Sequence, residues 1–177
     1  MNLNTTMTTE YKTYINPNHN DVDGKTDRGM RKDNPIFKTL GYIDELNSFL
    51  GTIKNRKNDD GVVDAIQIQL LKISSLFSYY SLHTTDVKNY INLIADWTSL
   101  MDSEIEIISS NLKINSFIIP KSKFHYARCL ARRVERKTIS FFEKQTMHEE
   151  SFYVFKNNVL AYFNRLSLYL FYLALSI

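Results

Sequence analysis

Beyond Gly61 the chain runs 116 residues without another glycine, and over that stretch it holds a single proline, Pro120. Tight hairpins rely on glycine where the backbone must take positive φ, so a β-sandwich, a barrel or a loop-rich disulfide scaffold is excluded. What remains is a chain that is nearly all helix. With 177 residues, 44% of them apolar and 23% charged, it is one domain's worth and can bury a real core. A net charge of +3 is too mild to call for nucleic acid, yet it permits a local site for an anion. The lone Cys129 excludes an internal disulfide or a cysteine zinc site, which fits a reducing compartment. MNLNTTMTTEYKTY at the start has neither a basic region nor an apolar run, so the expected location is cytoplasmic.

Residues 1–33 are rich in Asn, Thr and Asp, interrupted by Pro17, Gly24 and Gly29, and read as a flexible segment in which function could still lie. The domain proper is expected over 34–177. Asp33-Asn34-Pro35 is a helix start, and Ile43, Leu46, Leu50 and Ile53 then form one apolar stripe of a helix running to about Lys57. Four more helices follow: Val62 to Leu82, a third capped by Thr84-Thr85-Asp86 and ending near Asn111, then Ser122 to Lys144 and Glu149 to Ser176. INSFIIP at 114–120 is a connector stopped by its proline. Five long helices with short links predict an all-α antiparallel bundle, with ligand sites between helices or subunits. The run VLAYFNRLSLYLFYLALSI from Val159 is long enough to anchor in a membrane, but Asn164-Arg165 inside it favours the central helix of a bundle.

The fourth helix is the most unusual. Arg128, Arg132 and Arg136 recur at i, i+4 and i+8, with Glu135 on the same stripe and Arg133 about 100° round the helix. Like charges so placed repel unless an anion or an acid sits among them, and the guanidinium fork matches phosphate oxygens. A solvated basic face with an internal Arg-Glu pair is the plainer alternative. Asp44 faces away from the apolar stripe of the first helix, together with Asn47 and Ser48; it reads as a surface acid or as the partner of one arginine. Asn164-Arg165 needs polar partners in its apolar setting. The four histidines form no metal-binding spacing, and HNDVDG at 19–24 fails as a calcium loop because Met30 stands where a glutamate is needed. No metal ligand is therefore expected. Cys129 reads as a packed core cysteine.

KDNPIFKTLGYIDELNSFLG at 32–51, FIIP at 117–120, HYARCLARRVERK at 125–137 and NVLAYFNRLSLYLF at 158–171 occur in that order. Together they resemble the signature blocks of ATP:cob(I)alamin adenosyltransferases of the propanediol-utilisation type. The resemblance implies a homotrimer of five-helix bundles, with a ferritin-like four-helix-type core, that moves the 5′-deoxyadenosyl group of ATP to the cobalt of cob(I)alamin. ATP, cobalamin and Mg²⁺ are then the expected ligands, with no role for nucleic acid or membrane. By matching position it implies that Lys32, Arg132, Arg133, Glu135, Arg136 and Asn164 hold ATP, with Asn47, Ser48 and Arg165 nearby. Asp44 would pair with Arg128 across the subunit boundary, and Phe117 would lie under the corrin. Two departures stand out. TYINPNHNDVDGKTD replaces the family's glycine-rich phosphate loop, and only four residues separate Pro120 from His125. A non-catalytic corrinoid- or nucleotide-binding bundle is the competing expectation.

Overall fold

The structure is a computed structural model that describes residues 34–53, 61–80, 88–146 and 150–176. It contains helices α1 (Pro35–Gly51), α2 (Val62–Tyr80), α3 (Lys88–Ser110), α4 (Lys123–Phe142) and α5 (Glu150–Ser176). No strand occurs among the described residues. The expected N-terminal segment, Lys32 within it, and the Thr84-Thr85-Asp86 cap lie outside them.

Local chemistry explains the boundaries. The Asn34 side chain accepts the Ile36 N–H at 3.1 Å, and Pro35, which has no N–H to satisfy, takes the first helical position. α1 stops at Gly51 and not near Lys57. The Thr52 and Ile53 N–H groups reach the Phe49 and Leu50 carbonyls at 2.9 Å in a tighter turn, which still delivers Ile53 to the core. Ser122 caps α4 by accepting from Phe124 N–H at 3.1 Å, and residues 112–121 before it lack regular structure.

Contacts fix the order round the bundle as α1, α2, α3, α5, α4 and back to α1. Lys123 Nζ donates to the Thr52 carbonyl and Phe49 meets Tyr126 edge to face, so α1 and α4 run antiparallel. His125 meets Phe171 and Glu135 meets Asn164, so α4 and α5 do as well. A closed ring of five helices cannot alternate direction throughout. Its one parallel pair is α3 and α5, where Asn158 donates to the Ile91 carbonyl and Arg165 pairs with Asp102. Because α3 and α4 flank α5, the chain leaving α3 must cross the end of the bundle to begin α4. The connector at 111–122 is that crossing.

α5 is long and apolar enough to cross a membrane by length and composition. In the bundle it supplies much of the core instead, with Phe155, Val159, Tyr162, Phe163, Leu166 and Leu170 completely buried. The Tyr162 hydroxyl donates to Gln69 Oε1 at 2.8 Å, satisfying the one polar atom that this ring carries inside. Burial pushes the Tyr162 phenol well above its ordinary pKa, so it stays a donor.

Candidate functional site on helix α4

Phe124, Ala127, Leu130, Ala131, Val134, Thr138 and Phe141 bury one stripe of α4 at helical spacing. The residues between them are thereby sorted onto three flanks. Toward α5, Arg128 lies over the Phe171 ring at 5.6 Å and Glu135 accepts from Asn164 Nδ2 at 3.1 Å. Toward α1, Arg133 Nη1 donates to both Glu45 carboxylate oxygens at 3.0 Å, and Arg133 and Lys137 lie over Tyr42 at 5.9 and 5.6 Å. Arg132 and Arg136 point outward. Both are exposed, and neither makes a hydrogen bond or ion pair among the described residues. Glu135, the acid expected to neutralise this stripe, is held by Asn164 on the α5 side.

Cys129 is exposed, not packed in the core as its apolar character suggested. It stands three residues before Arg132, and that spacing places it on the same outer face.

On α1, Asp44 and Ser48 are exposed, as their positions opposite the apolar stripe required. Within the protomer Asp44 and Arg128 do not pair; the neighbouring acid Glu45 joins α1 to α4 in its place. Asn47 is half-buried. Its backbone carbonyl accepts from Gln67 Nε2 at 2.9 Å, while its side-chain Oδ1 is buried without a partner. Gly51 lets Gln67 come this close, since a Cβ there would sit 3.2 Å from the amide nitrogen.

Asn164 and Arg165 justify the polar interruption of α5. They are about 100° apart, so Asn164 looks to α4 while Arg165 Nε pairs with Asp102 of α3 at 2.6 Å. Phe117 sits in the connector, fully exposed, with Ile119 and Ile114 also largely in solvent. Among the described residues, no three His, Cys, Asp or Glu side chains gather as a metal site.

Sequence reasoning missed Glu45, Asp102 and Tyr42. Glu45 lay within the DELNS block, but its partner is 88 residues away and only helix packing selects it over Asp44.

An arginine-bearing helix in a five-helix ring, with a lone apolar ring at the crossing, defines a class. The sequence pattern of the cobalamin adenosyltransferase family matches residues 22–177, and the chain belongs to that family. A corrinoid adenosyltransferase of Bacillus subtilis (strain 168) is 30% identical over 159 residues, covering 85% of this chain and 76% of the relative. Corrinoid adenosyltransferase PduO of Salmonella typhimurium is 27% identical over 151 residues, covering 80% of this chain but 42% of the relative. The chain thus spans less than half the length of that second protein. A variant PduO-type ATP:corrinoid adenosyltransferase from Lactobacillus reuteri, solved with cobalamin and ATP, has the same fold. It superposes with a TM-score of 0.66 at 23% identity, over 82% of this chain and 78% of that one.

Proposed function

We infer that this chain transfers the 5′-deoxyadenosyl group of ATP to the cobalt of cob(I)alamin, giving adenosylcobalamin and triphosphate. Family membership supports the reaction class. The observation that carries the reading to residues is the outward pair Arg132 and Arg136, unmatched by any acid among the described residues while Glu135 is turned onto Asn164. Guanidiniums left open in this way fit a polyphosphate.

In the reaction the cobalt(I) electron pair forms the Co–C5′ bond, the C5′–O bond breaks, and its electrons leave with triphosphate. The corrinoid supplies the nucleophile; the protein supplies orientation and fixed positive charge where the leaving group becomes more anionic. Arg132 and Arg136 hold the phosphates, Asn164 and Glu135 border the nucleotide, and Lys32 and Arg133 add further cations. Asn47, Ser48 and Arg165 support the site walls. Phe117 covers the lower face of the corrin and keeps water off the metal, favouring the four-coordinate Co(II) that can be reduced. Mg²⁺ would be carried by the phosphate oxygens of ATP, since no acidic cluster gathers to hold it among the described residues. The assembly is a homotrimer acting in the cytoplasm without membrane or nucleic acid.

Asp44 and Arg128, both without a carboxylate or guanidinium partner among the described residues, would meet across that trimer boundary. On this reading Asp44→Asn loosens the trimer in sedimentation and lowers corrinoid use, with little change in protomer stability. Wild-type assembly and kinetics would remove the pair from the site. The reaction itself is tested by anaerobic incubation of ATP with chemically reduced cob(I)alamin, following the absorbance of adenosylcobalamin. Retained binding of ATP and corrinoid with no conversion would overturn the transferase reading in favour of a carrier.

A further inference from the structure

Positive charge is unevenly placed along this chain. From Ile107 to Val134 there is no aspartate or glutamate, yet Lys113, Lys121, Lys123, Arg128, Arg132 and Arg133 all lie there, and the rest of the chain is net negative. Four of these cations have an assignment. Arg133 pairs with Glu45, Arg128 lies over Phe171, Lys123 donates to the Thr52 carbonyl at 3.1 Å, and Arg132 faces outward for phosphate. Lys113 and Lys121 have none. Both are exposed and make no hydrogen bond or ion pair among the described residues.

They stand four residues before and four after Phe117, in the connector that also exposes Ile114 and Ile119. Four residues of chain span at most ~14 Å, and both lysine stems are flexible enough to fold back toward the ring. The connector therefore presents an apolar centre with a cation on each flank. Such a surface matches a ligand that has an apolar face and a single anion hanging from that same face.

A complete cobamide has that form. Its lower base is joined to the macrocycle through a phosphodiester, and once an apolar side chain covers the lower face the displaced tail must lie beside whatever covers it. We propose that Lys121, assisted by Lys113, binds the phosphodiester of the displaced lower-ligand tail, so that the connector selects complete cobamides over tail-less corrinoids. Lys121 is the better placed of the two. It follows Pro120, whose ring fixes the backbone, and precedes the Ser122 cap of α4, whose first turn adds its own positive field. This assignment rests on the adenosyl-transfer reading, in which Phe117 faces the lower side of the corrin.

The test compares cob(II)alamin with cob(II)inamide, which lacks the tail, by equilibrium binding in the presence of ATP. Lys121→Gln is expected to weaken cobalamin binding about five-fold, and Lys113→Gln with Lys121→Gln further, while cobinamide binding is unchanged. Lys121→Arg should retain the preference, and at saturating ATP added salt should weaken cobalamin more than cobinamide. Equal effects on both corrinoids, or no effect on either, would overturn the assignment. A wild-type chain that binds both corrinoids and transfers to neither would overturn the transferase reading, and the lysine comparison would still be decided by binding.

Discussion

Phenylalanine plays two roles in this bundle. Where α2 and α4 finish and α5 begins, Phe77, Phe141, Phe142, Phe152 and Phe155 lie with ring centroids 5.4 to 5.7 Å apart and none more than 7% exposed. At the crossing end, Phe117 touches solvent on every side. Edge-to-face packing of buried rings stabilises the fold, whereas an exposed ring adds nothing to it and risks association. The buried cluster thus serves the fold, and the exposed ring of the connector is free to answer to a ligand.

The largest effect should come from the buried cluster. Phe155→Ala removes a fully buried ring and should cost about 3–5 kcal/mol in urea unfolding, with activity per folded molecule nearly unchanged. A loss of specific activity at low temperature would show that the two roles are coupled. Next comes Arg132→Ala, which should raise the KM for ATP by roughly ten- to a hundred-fold, about 1.5–3 kcal/mol of charged hydrogen bonding, with no shift in the unfolding midpoint. Unaltered ATP kinetics would refute its place in the site. Phe117→Ala should lower corrinoid kcat/KM at least ~10-fold, or ~1.4 kcal/mol, and change stability by less than ~0.5 kcal/mol. If it destabilised as Phe155→Ala does, the contrast between the roles would disappear.

The smallest effect is alkaline. Burial, and then the charge of Glu104, push the Tyr169 phenol from 10.0 to about 12. A raised folded pKa means that the unfolded chain loses this proton first. Stability is therefore complete below pH 10 and falls as the pH rises toward 12. Tyr169→Phe should flatten that decline in unfolding experiments; an unchanged slope would assign it to other groups.

The helical fold was legible because two independent signals agreed: glycine and proline are scarce after Gly61, and apolar residues recur at three and four. The first of those stripes carried the reading of α1 too far, since Ile53 reaches the core from a turn and periodicity cannot tell a turn from one more helical step. The arginine face of α4 was legible as a pattern, and its partners were not. Whether Arg133 meets Asp44 or Glu45 depends on how α1 is rotated against α4, which no spacing within either helix encodes. Cys129 went wrong for a related reason: its chemistry resembles a core residue, but its position in the α4 stripe lies among the outward guanidiniums.

The place of α5 in the ring has a consequence for how the chain comes to be folded. Four helices precede α5 in sequence, yet it belongs between two of them, with α3 on one side and α4 on the other. On a ribosome, the growing chain would present an open ring with an apolar slot until α5 emerged. Its pairings reach back 93 residues, from Tyr162 to Gln69, so they close a long loop and form late. A chain interrupted before α5 would hold every arginine of the α4 site and still expose the seam that α5 fills, a species bound for chaperone capture or aggregation. Asn164 belongs to the same segment, so one insertion step both seals the core and brings Glu135 of α4 its partner.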